Sequence, residues 1–319
     1  MSQHKKDLMS KHNFAVDLIT LYHPEFWGVS SREDVAAKAA ADPTAFWDRM
    51  LDTVAATGAT GIEVTFVPGD LDTGFKAYGS PDGLREAVAA RGLEIISGYF
   101  GVIDGLKAPL DPAAQDSALD AVAAYSQKLR AAGGSTVVSG LPATGASVSR
   151  GASGFLDFDY LEGIADLVNR IGARVRDIGL TYAIHPEAGS VFCRRREIDL
   201  LLALTDPDVV SFCPDTAHLL LANGDPVAIV EGHRERVVLT HWKDAAGPLT
   251  VEIPDNEHRY EVVGAQFMPV GDGAVDWKAW SKMLDRIGYQ GWTILEVDDC
   301  PDPDVQIARA KHFVETSLG

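Results

Sequence analysis

The sequence predicts a single-domain (β/α)8 TIM barrel, and two observations carry this prediction. Eight short apolar runs rich in β-branched residues alternate with longer amphipathic stretches along the 319-residue chain. This alternation favours parallel strands joined by right-handed helical crossovers. The last four runs end in residues that can bind a metal, and a barrel carries its chemistry at these strand ends. An open doubly wound sheet is the alternative, but the sequence lacks the glycine-rich fingerprint of its nucleotide-binding versions.

The predicted strands are apolar on both faces, as expected for strands buried between a barrel interior and surrounding helices. They span most of the chain, so we expect residues 14–319 to form one catalytic domain and residues 1–13 a flexible N-terminal tail. In chain order the predicted strands are FAVDLITLY from Phe14, TGIEVTF from Thr60, LEIISGYF from Leu93, STVVSG from Ser135, LTYAIH from Leu180, VVSFCPD from Val209, RVVLTHW from Arg236 and GWTILEV from Gly291.

Helices are predicted where amphipathic stretches between these strands end in glycine. The clearest stretches begin at Thr44, Asp120, Asp159 and Asp276. A glycine after the last helical residue favours the left-handed conformation that closes a helix, and Asp276 can cap the first turn of the last stretch. These stretches therefore supply crossover helices between the strands.

The composition disfavours several classes of function. A formal net charge of -18 opposes binding to nucleic acid or to an anionic membrane surface, since both need a basic face. No apolar run reaches the length of a membrane span, and the N-terminal residues lack the apolar core of a signal peptide. The three cysteines, Cys193, Cys213 and Cys300, are too scattered for a disulfide framework. We therefore expect a soluble, cytoplasmic protein.

Residues that can bind a metal end each of the last four predicted strands. They are His185 or Glu187 in the fifth strand, Asp215 in the sixth, His241 in the seventh and Glu296 in the eighth. Adjacent strands lie about 4.8 Å apart, so their end residues can converge on one ion. Imidazole and carboxylate ligands together suit Mn²⁺, Mg²⁺, Co²⁺, Fe²⁺ or Zn²⁺. The sequence therefore predicts one divalent-metal site.

Each of these residues also has a plain structural explanation. Asp215 could cap the helix after the sixth strand, His241 could be a core histidine, and Glu296 could belong to a structural ion pair. His185 and Glu187 point to the same side if the strand continues through the intervening proline. The pattern leaves open which of the two is the ligand, and we favour His185.

The C-terminal half of the chain resembles the xylose isomerase-like superfamily of sugar isomerases, epimerases and dehydratases. The matching runs are CPDTAHLLLANGDPVAIVEGHRERVVLTHWKDA from Cys213 and FMPVGDGAVDWKAWSKMLDRIGYQGWTILEVD from Phe267. In that superfamily the aspartate of the first run, the histidine opening H-x-K-D and the last-strand glutamate bind a divalent metal. The resemblance implies these roles for Asp215, His241 and Glu296, and we expect Mn²⁺ as the ion.

The fifth strand departs from the common pattern of the superfamily. Many members carry a glutamate ligand followed two residues later by histidine, whereas here the order is His185-Pro186-Glu187. The inosose dehydratase branch shares the His-Pro pair, and the H-x-K-D run and the VGDG-containing loop also resemble that branch. Catalytic subunits of C-glycoside deglycosidases, which cleave a 3-oxo-sugar from an aromatic aglycone with the help of a small second subunit, are relatives in architecture.

The resemblance implies a lyase or isomerase that acts on a keto-sugar or keto-inositol. In such enzymes a metal acts as Lewis acid while a general base removes the α-proton to give an enediolate. Glu187 is the expected base if His185 binds the metal. His218 and Lys243 are expected to donate to substrate oxygens, although His218 could itself bind the ion and Lys243 could be a surface charge.

Residues outside the late strands complete the expected site. His23 and Trp27 follow the first strand, where they either shape the substrate pocket or pack into the core around a capped turn. Glu63 ends the second strand and matches a frequent glutamate of the superfamily. His258 and Arg259 lie in the long segment after the seventh strand, which could close over a substrate. Solvated loop charges are the alternative for these two residues.

Three functions stand beside an inosose dehydratase-like lyase as alternatives. They are C-glycoside cleavage, sugar isomerisation or 3-epimerisation, and sugar binding by a non-catalytic barrel subunit. An endonuclease IV-like enzyme is disfavoured by the charge of -18 and by the small number of strand-end histidines. The expected partner is a small sugar, inositol or glycoside substrate, and both a homo-oligomer and a small second subunit stay open.

Overall fold

The computed structural model describes residues 13–144, 155–251, 253, 259–298 and 300–318, and its centre is a barrel of eight strands. The first strand begins at Asn13, one residue earlier than predicted, and the rest of the predicted tail lies outside the described residues. All eight predicted strands are present, which confirms the barrel fold. The strands are β1 (Asn13–Asp17), β2 (Gly61–Val64), β3 (Glu94–Tyr99), β4 (Thr136–Ser139), β5 (Thr181–Ile184), β6 (Ser211–Phe212), β7 (Leu239–Trp242), β8 (Asp244–Ala245), β9 (Phe267–Met268) and β10 (Trp292–Leu295).

The barrel strands are neighbours in the order β6-β5-β4-β3-β2-β1-β10-β7, and each pairing in this series is parallel. The ring closes between β6 and β7 through single parallel bridges, which pair Phe212 with Val237 and Asp215 with His241. The second bridge lies just beyond β6. It therefore brings two of the predicted metal ligands side by side on the backbone.

Helices connect the strands and cover the outside of the barrel. Asp276 caps the helix that follows it and Gly288 ends that helix at a φ of 69°, as predicted, but the helix expected from Asp120 begins at Pro112 because Asp111 caps it. No helix in the described ranges is long and apolar enough to cross a membrane. The helices are α1 (Pro24–Trp27), α2 (Arg32–Ala41), α3 (Pro43–Ala56), α4 (Leu71–Tyr78), α5 (Pro81–Ala89), α6 (Pro112–Ala131), α7 (Phe158–Asp177), α8 (Arg195–Leu204), α9 (Thr216–Leu221), α10 (Pro226–Gly232), α11 (Arg259–Gly264), α12 (Trp277–Ile287) and α13 (Pro303–Ser317).

The hydrophobic core has two main parts. The larger part packs the helices against the barrel strands, with fully buried side chains such as Trp47 and Trp280. A smaller part comes mainly from the strands and includes Ala15, Ala183 and Cys213. Cys213 is completely buried, and burial raises the pKa of its thiol to about 11. It therefore behaves as a small apolar residue of the barrel, as the sequence indicated.

The long connection after β7 is anchored by one aspartate. The side chain of Asp244 accepts hydrogen bonds of 3.0 to 3.1 Å from the backbone N–H groups of Gly271, Gly273 and Val275, and one of 2.6 Å from the indole of Trp277. A Cβ on Gly273 would lie 2.2 Å from Oδ1 of Asp244, so this close approach requires glycine. The antiparallel pairing of β8 with β9 joins the beginning of this connection to a segment near its end.

Candidate functional site

Three of the predicted ligands form a buried cluster at the carboxyl ends of the late strands. His185 follows β5, Asp215 follows β6 and His241 lies in β7. One ligand atom from each residue lies within 4.8 Å of the others. Their side chains are 3%, 0% and 1% exposed, respectively. Buried polar groups of this kind need hydrogen bonds, opposite charges or a metal to compensate for lost hydration.

Several atoms of this cluster lack a hydrogen-bond partner among the described residues. They are both ring nitrogens of His185, Oδ2 of Asp215 and Nε2 of His241. Nε2 of His185 lies 3.6 Å from Oδ2 of Asp215, which is beyond hydrogen-bond distance. A buried polar atom without a partner costs about 1–3 kcal/mol. The donor set of imidazole and carboxylate therefore fits a divalent cation, which would satisfy these atoms.

Asp215 divides its two carboxylate oxygens between two roles. Oδ1 accepts a hydrogen bond of 2.9 Å from the backbone N–H of His218 and so caps α9. Oδ2 faces the cluster. Burial would raise the pKa of Asp215, but the charge of Lys243 together with His218 and His185 outweighs it and lowers the pKa to about 2. The capping role considered for Asp215 is thus observed, and it leaves the second oxygen free to bind a cation.

His241 lies between two glutamates that contact opposite edges of its ring. Nδ1 is 2.7 Å from Oε2 of Glu296, and Nε2 is 3.0 Å from Oε1 of Glu63. Glu63 is completely buried and accepts a hydrogen bond of 2.5 Å from the hydroxyl of Ser97. Asp17, Glu63 and His241 form a second group whose ligand atoms lie within 4.8 Å of one another. Glu63, expected to contact substrate, is therefore a buried neighbour of His241.

Lys243 supplies a buried positive charge to the cluster. Its Nζ lies 3.1 Å from Asp298 and 3.7 Å from Asp215, and it also forms an ion pair with Glu296. The side chain is 1% exposed, and its ammonium lies 4.3 Å from the centre of the Phe267 ring. Burial would lower the pKa of Lys243, but the three carboxylates raise it well above its usual value. The alternative of a surface charge is wrong for this residue.

His218 faces the cluster from α9. Its Nδ1 accepts a hydrogen bond of 3.0 Å from the backbone N–H of Ala188, so the proton of the neutral ring lies on Nε2. Burial lowers the pKa of His218 to about 4, which keeps the ring neutral at neutral pH. Its ring centre lies 5.5 Å from that of His185. This arrangement suits a neutral hydrogen-bond donor beside the cluster.

Glu187 and its neighbours form a second polar wall beside the cluster. Oε1 of Glu187 accepts a hydrogen bond of 2.8 Å from the hydroxyl of Tyr99, and this hydroxyl accepts one of 3.0 Å from the N–H of Gly140. Oε2 has no hydrogen-bond partner within the described ranges and lies 3.7 Å from Nη2 of Arg259. Asp104 lies 3.5 Å from the same hydroxyl, and burial together with the charge of Glu187 raises its pKa to about 8.

Two other predicted substrate contacts have structural roles in and beside α1. His23 caps α1, with Nδ1 accepting a hydrogen bond of 3.3 Å from the N–H of Glu25. Trp27 packs into the core, with its ring centre 3.9 Å from that of Phe46 and its indole only 3% exposed. For both residues the structure matches the alternative of core packing around a capped turn. His258 lies outside the described residues.

Six residues around the cluster and around Glu187 were not predicted from the sequence. Asp17 and Tyr99 are the last residues of β1 and β3. Because a barrel carries its chemistry at the carboxyl ends of its strands, their positions were a usable signal. Ser97 lies within β3, and its hydroxyl carried no recognisable pattern. Asp104 and Phe267 reach the site from connecting segments, whose path the sequence does not fix. Asp298, which pairs with Lys243, lies two residues after Glu296 and was not among the predicted site residues.

Comparison with known proteins connects this site to a family of barrels. A family model described as xylose isomerase-like TIM barrel matches residues 51–315. Inosose dehydratase of Lacticaseibacillus casei is 31% identical over 169 residues, which are 50% of this chain and 55% of that protein. Inosose dehydratase of Lactiplantibacillus plantarum is 26% identical over 264 residues, 79% of this chain and 81% of that protein. The match to the first of these relatives spans about half of its length.

Solved structures share the same fold at low sequence identity. The IOLI protein with a bound zinc atom superposes with a TM-score of 0.69 at 13% identity, covering 96% of this chain and 98% of that one. D-allulose 3-epimerase from Methylomonas sp., in complex with D-allulose, gives a TM-score of 0.68 at 13% identity, with coverages of 96% and 97%. At these identities the likeness establishes the barrel fold alone.

Proposed function

Because the chain belongs to the xylose isomerase-like TIM barrel family, we propose that it is a divalent-metal-dependent lyase or isomerase acting on a keto-sugar or keto-inositol. The proposed reaction starts with removal of the proton next to a carbonyl group, through an enediolate. Similarity to inosose dehydratases over part or most of the chain supports this reaction class. The net charge of -18 also suits a neutral substrate better than a phosphorylated one.

The observation that carries the proposal is the buried imidazole of His185, whose two ring nitrogens lack hydrogen-bond partners among the described residues. We assign the ion to His185, Asp215, His241 and Glu296. Lys243 contacts both carboxylates of this set, which supports their convergence at the Nδ1 edge of His241. A divalent ion held by these residues, for which we expect Mn²⁺, would supply positive charge to the carbonyl oxygen of a substrate. The zinc of the IOLI structure supports a divalent ion.

The chain's own residues divide the proton chemistry between them. Glu187 is the proposed base, because its Oε2 is free of hydrogen bonds to the described residues and lies beside the cluster. The acid form of Glu187 then returns the proton to the neighbouring carbon in an isomerase, or to the departing hydroxyl group in a dehydratase. We propose that neutral His218 donates from Nε2 to a substrate oxygen and that Arg259 contacts a substrate hydroxyl. Lys243 keeps the neighbouring carboxylates ionised.

A second candidate is cleavage of a 3-oxo-C-glycoside, and the rim of the site favours it. Phe66 and Val67 follow β2 and are 42% and 64% exposed, and Tyr260 of α11 is 55% exposed. The ring of Phe66 lies 5.3 Å from that of Tyr99, which contacts Glu187. Exposed apolar side chains so near the polar walls suit a substrate with an aromatic portion.

The proposal is tested with Asp215→Asn, which keeps an oxygen for the cap of α9 but replaces the free carboxylate oxygen with an amide. The matched control is Asp225→Asn, since Asp225 caps α10 without contacting the cluster. We expect wild type and control to bind about one divalent ion per chain and to exchange the α-proton of a keto-inositol or a 3-oxo-glycoside in D₂O. Asp215→Asn should lose both properties. Proton exchange that persists in metal-free wild type, or in Asp215→Asn, would refute the proposal. Exchange of a keto-inositol proton would favour the inosose dehydratase-like reaction, and exchange of a 3-oxo-glycoside proton would favour C-glycoside cleavage.

A further inference from the structure

We propose that Tyr99 is a positioning residue that fixes the orientation of Glu187, and that Gly140 in turn fixes Tyr99. The inference rests on the proposed function, because it concerns the base of that reaction. Neither residue belongs to the metal cluster. Both come from the early half of the barrel, Tyr99 from the end of β3 and Gly140 from the residue after β4.

The hydrogen bonds of the Tyr99 hydroxyl have a defined direction. The backbone N–H of Gly140 donates to this oxygen at 3.0 Å, so the hydroxyl must use its own proton elsewhere. Two carboxylates are within reach, and Glu187 at 2.8 Å is much closer than Asp104 at 3.5 Å. The proton of Tyr99 is therefore directed at Oε1 of Glu187. This leaves Oε2 of Glu187 as the oxygen with free lone pairs.

Glycine at position 140 is required by the close approach of this chain of contacts. A Cβ at this position would lie 2.6 Å from the hydroxyl oxygen of Tyr99 and 3.3 Å from the carboxyl carbon of Glu187. Any side chain would therefore push both groups away from the backbone. The spacing of Gly140, Tyr99 and Glu187 thus sets how far the carboxylate reaches into the site.

The ring of Tyr99 has separate structural contacts, which allows its hydroxyl to be tested alone. The ring lies edge-on to His185 at 5.8 Å and is tilted against Phe66 at 5.3 Å. Tyr99→Phe keeps both contacts and removes only the hydroxyl. Tyr182→Phe is the matched control, because Tyr182 is a buried tyrosine of β5 whose hydroxyl bonds Ser139 at 2.7 Å.

The experiment compares α-proton exchange and metal content of wild type, Tyr99→Phe and Tyr182→Phe. We expect Tyr99→Phe to lower kcat by about 10- to 100-fold, since a misplacement of about 1 Å can cost 100-fold. KM and the bound metal should be unchanged, because binding groups are left in place. Tyr182→Phe should keep the wild-type kcat. Gly140→Ala should resemble Tyr99→Phe, and the double variant should be no slower than either, since both act through one group.

Wild-type kcat in Tyr99→Phe overturns the inference, as does an equal loss in Tyr182→Phe or a loss of metal from Tyr99→Phe. If wild type exchanges no proton with either substrate class, the proposed function fails. The positioning role is then decided by the crystal structure of Tyr99→Phe. A Glu187 carboxylate that keeps its wild-type orientation overturns the inference, and one that rotates or becomes disordered supports it.

Discussion

The first four barrel strands and the last four end in polar groups of different kinds. The late strands end in atoms that the described residues leave without partners, such as Oδ2 of Asp215 and the ring nitrogens of His185. The early strands contribute a carboxylate that is partly held by a neighbouring strand, since Ser97 donates to Oε2 of Glu63 while Oε1 of Glu63 has no hydrogen-bond partner among the described residues. We propose from this difference that the late strands present the ligand atoms and that Ser97 and Glu63 of the early strands support them.

The charges of the two halves differ in the same way. Burial and the charges of Glu296 and Glu63 raise the pKa of Asp17 well above its usual value, which favours the neutral form of this early carboxyl group. Burial would do the same to Glu296, but the charge of Lys243 and the contact with His241 together hold the pKa of Glu296 well below its usual value. Lys243 is thus the largest single charge that favours the ionised form of Glu296, and no lysine is among the causes of the raised pKa of Asp17.

The largest expected effect follows from removing Lys243. Lys243→Met leaves buried carboxylates without their counter-charge, and breaking a buried ion pair on one side costs about 3–5 kcal/mol. We expect the free energy of unfolding to fall by this amount in the presence of a chelator. Added Mn²⁺ should recover part of the loss, because the ion replaces the missing positive charge. Denaturant unfolding with and without Mn²⁺ measures both effects.

Lys128→Met is the matched control for this substitution. Lys128 pairs with Asp72 at 2.6 Å on the surface, where the two side chains are 43% and 64% exposed. An exposed pair contributes about 0–1 kcal/mol, so this variant should unfold much like wild type. If Lys243→Met loses no more unfolding free energy than Lys128→Met, Lys243 does not account for the difference in charge between the early and late strands.

The next effect compares the two glutamates that flank His241. If the ion binds at Nδ1, Glu296 is a ligand and Glu63 only orients the ring through the 3.0 Å contact of its Oε1 with Nε2. We expect Glu296→Gln to weaken Mn²⁺ binding by at least about 100-fold and Glu63→Gln by about 10-fold, since losing a group that orients a ligand costs roughly 10- to 100-fold. Titration calorimetry gives both affinities.

The reverse order would place the ion on the other edge of the ring. Glu63 and Asp17 would then be the ligands, and Glu296 would hold the ring from Nδ1. The division between early and late strands would be inverted, while the requirement for His241 would stay. The same pair of variants therefore both tests the division and locates the ion.

The fold and the late half of the site could be predicted from the sequence because both leave a local pattern. The alternation of apolar runs with amphipathic stretches predicted all eight barrel strands, and the polar residues at the strand ends predicted that His185, Asp215 and His241 lie together. The early half of the site depends on register and on contacts between segments far apart in the chain. Tyr99 reaches Glu187 across 88 positions, and no local pattern encodes such a contact.

Residues of mixed character were the hardest to place. Trp27 follows a strand and resembles a pocket aromatic, yet its indole packs on Phe46 because α3 presents an apolar face there. Lysine is usually found at the protein surface, and Lys243 can be buried only because three carboxylates around it compensate its charge. In both cases tertiary packing decides the role, and sequence patterns do not record it.

The smallest expected effect tests whether Ser97, which contacts Glu63, also contributes to the metal site. Ser97→Ala removes the hydroxyl that donates to Glu63, and Ser139→Ala removes an equally buried hydroxyl that bonds Tyr182 instead. Both variants should lose about 1 kcal/mol of unfolding free energy, the usual contribution of one hydrogen bond. Only Ser97→Ala should also weaken Mn²⁺ binding, by less than Glu63→Gln does. Equal Mn²⁺ affinities in the two serine variants would show that Ser97 stabilises the barrel without influencing its metal site.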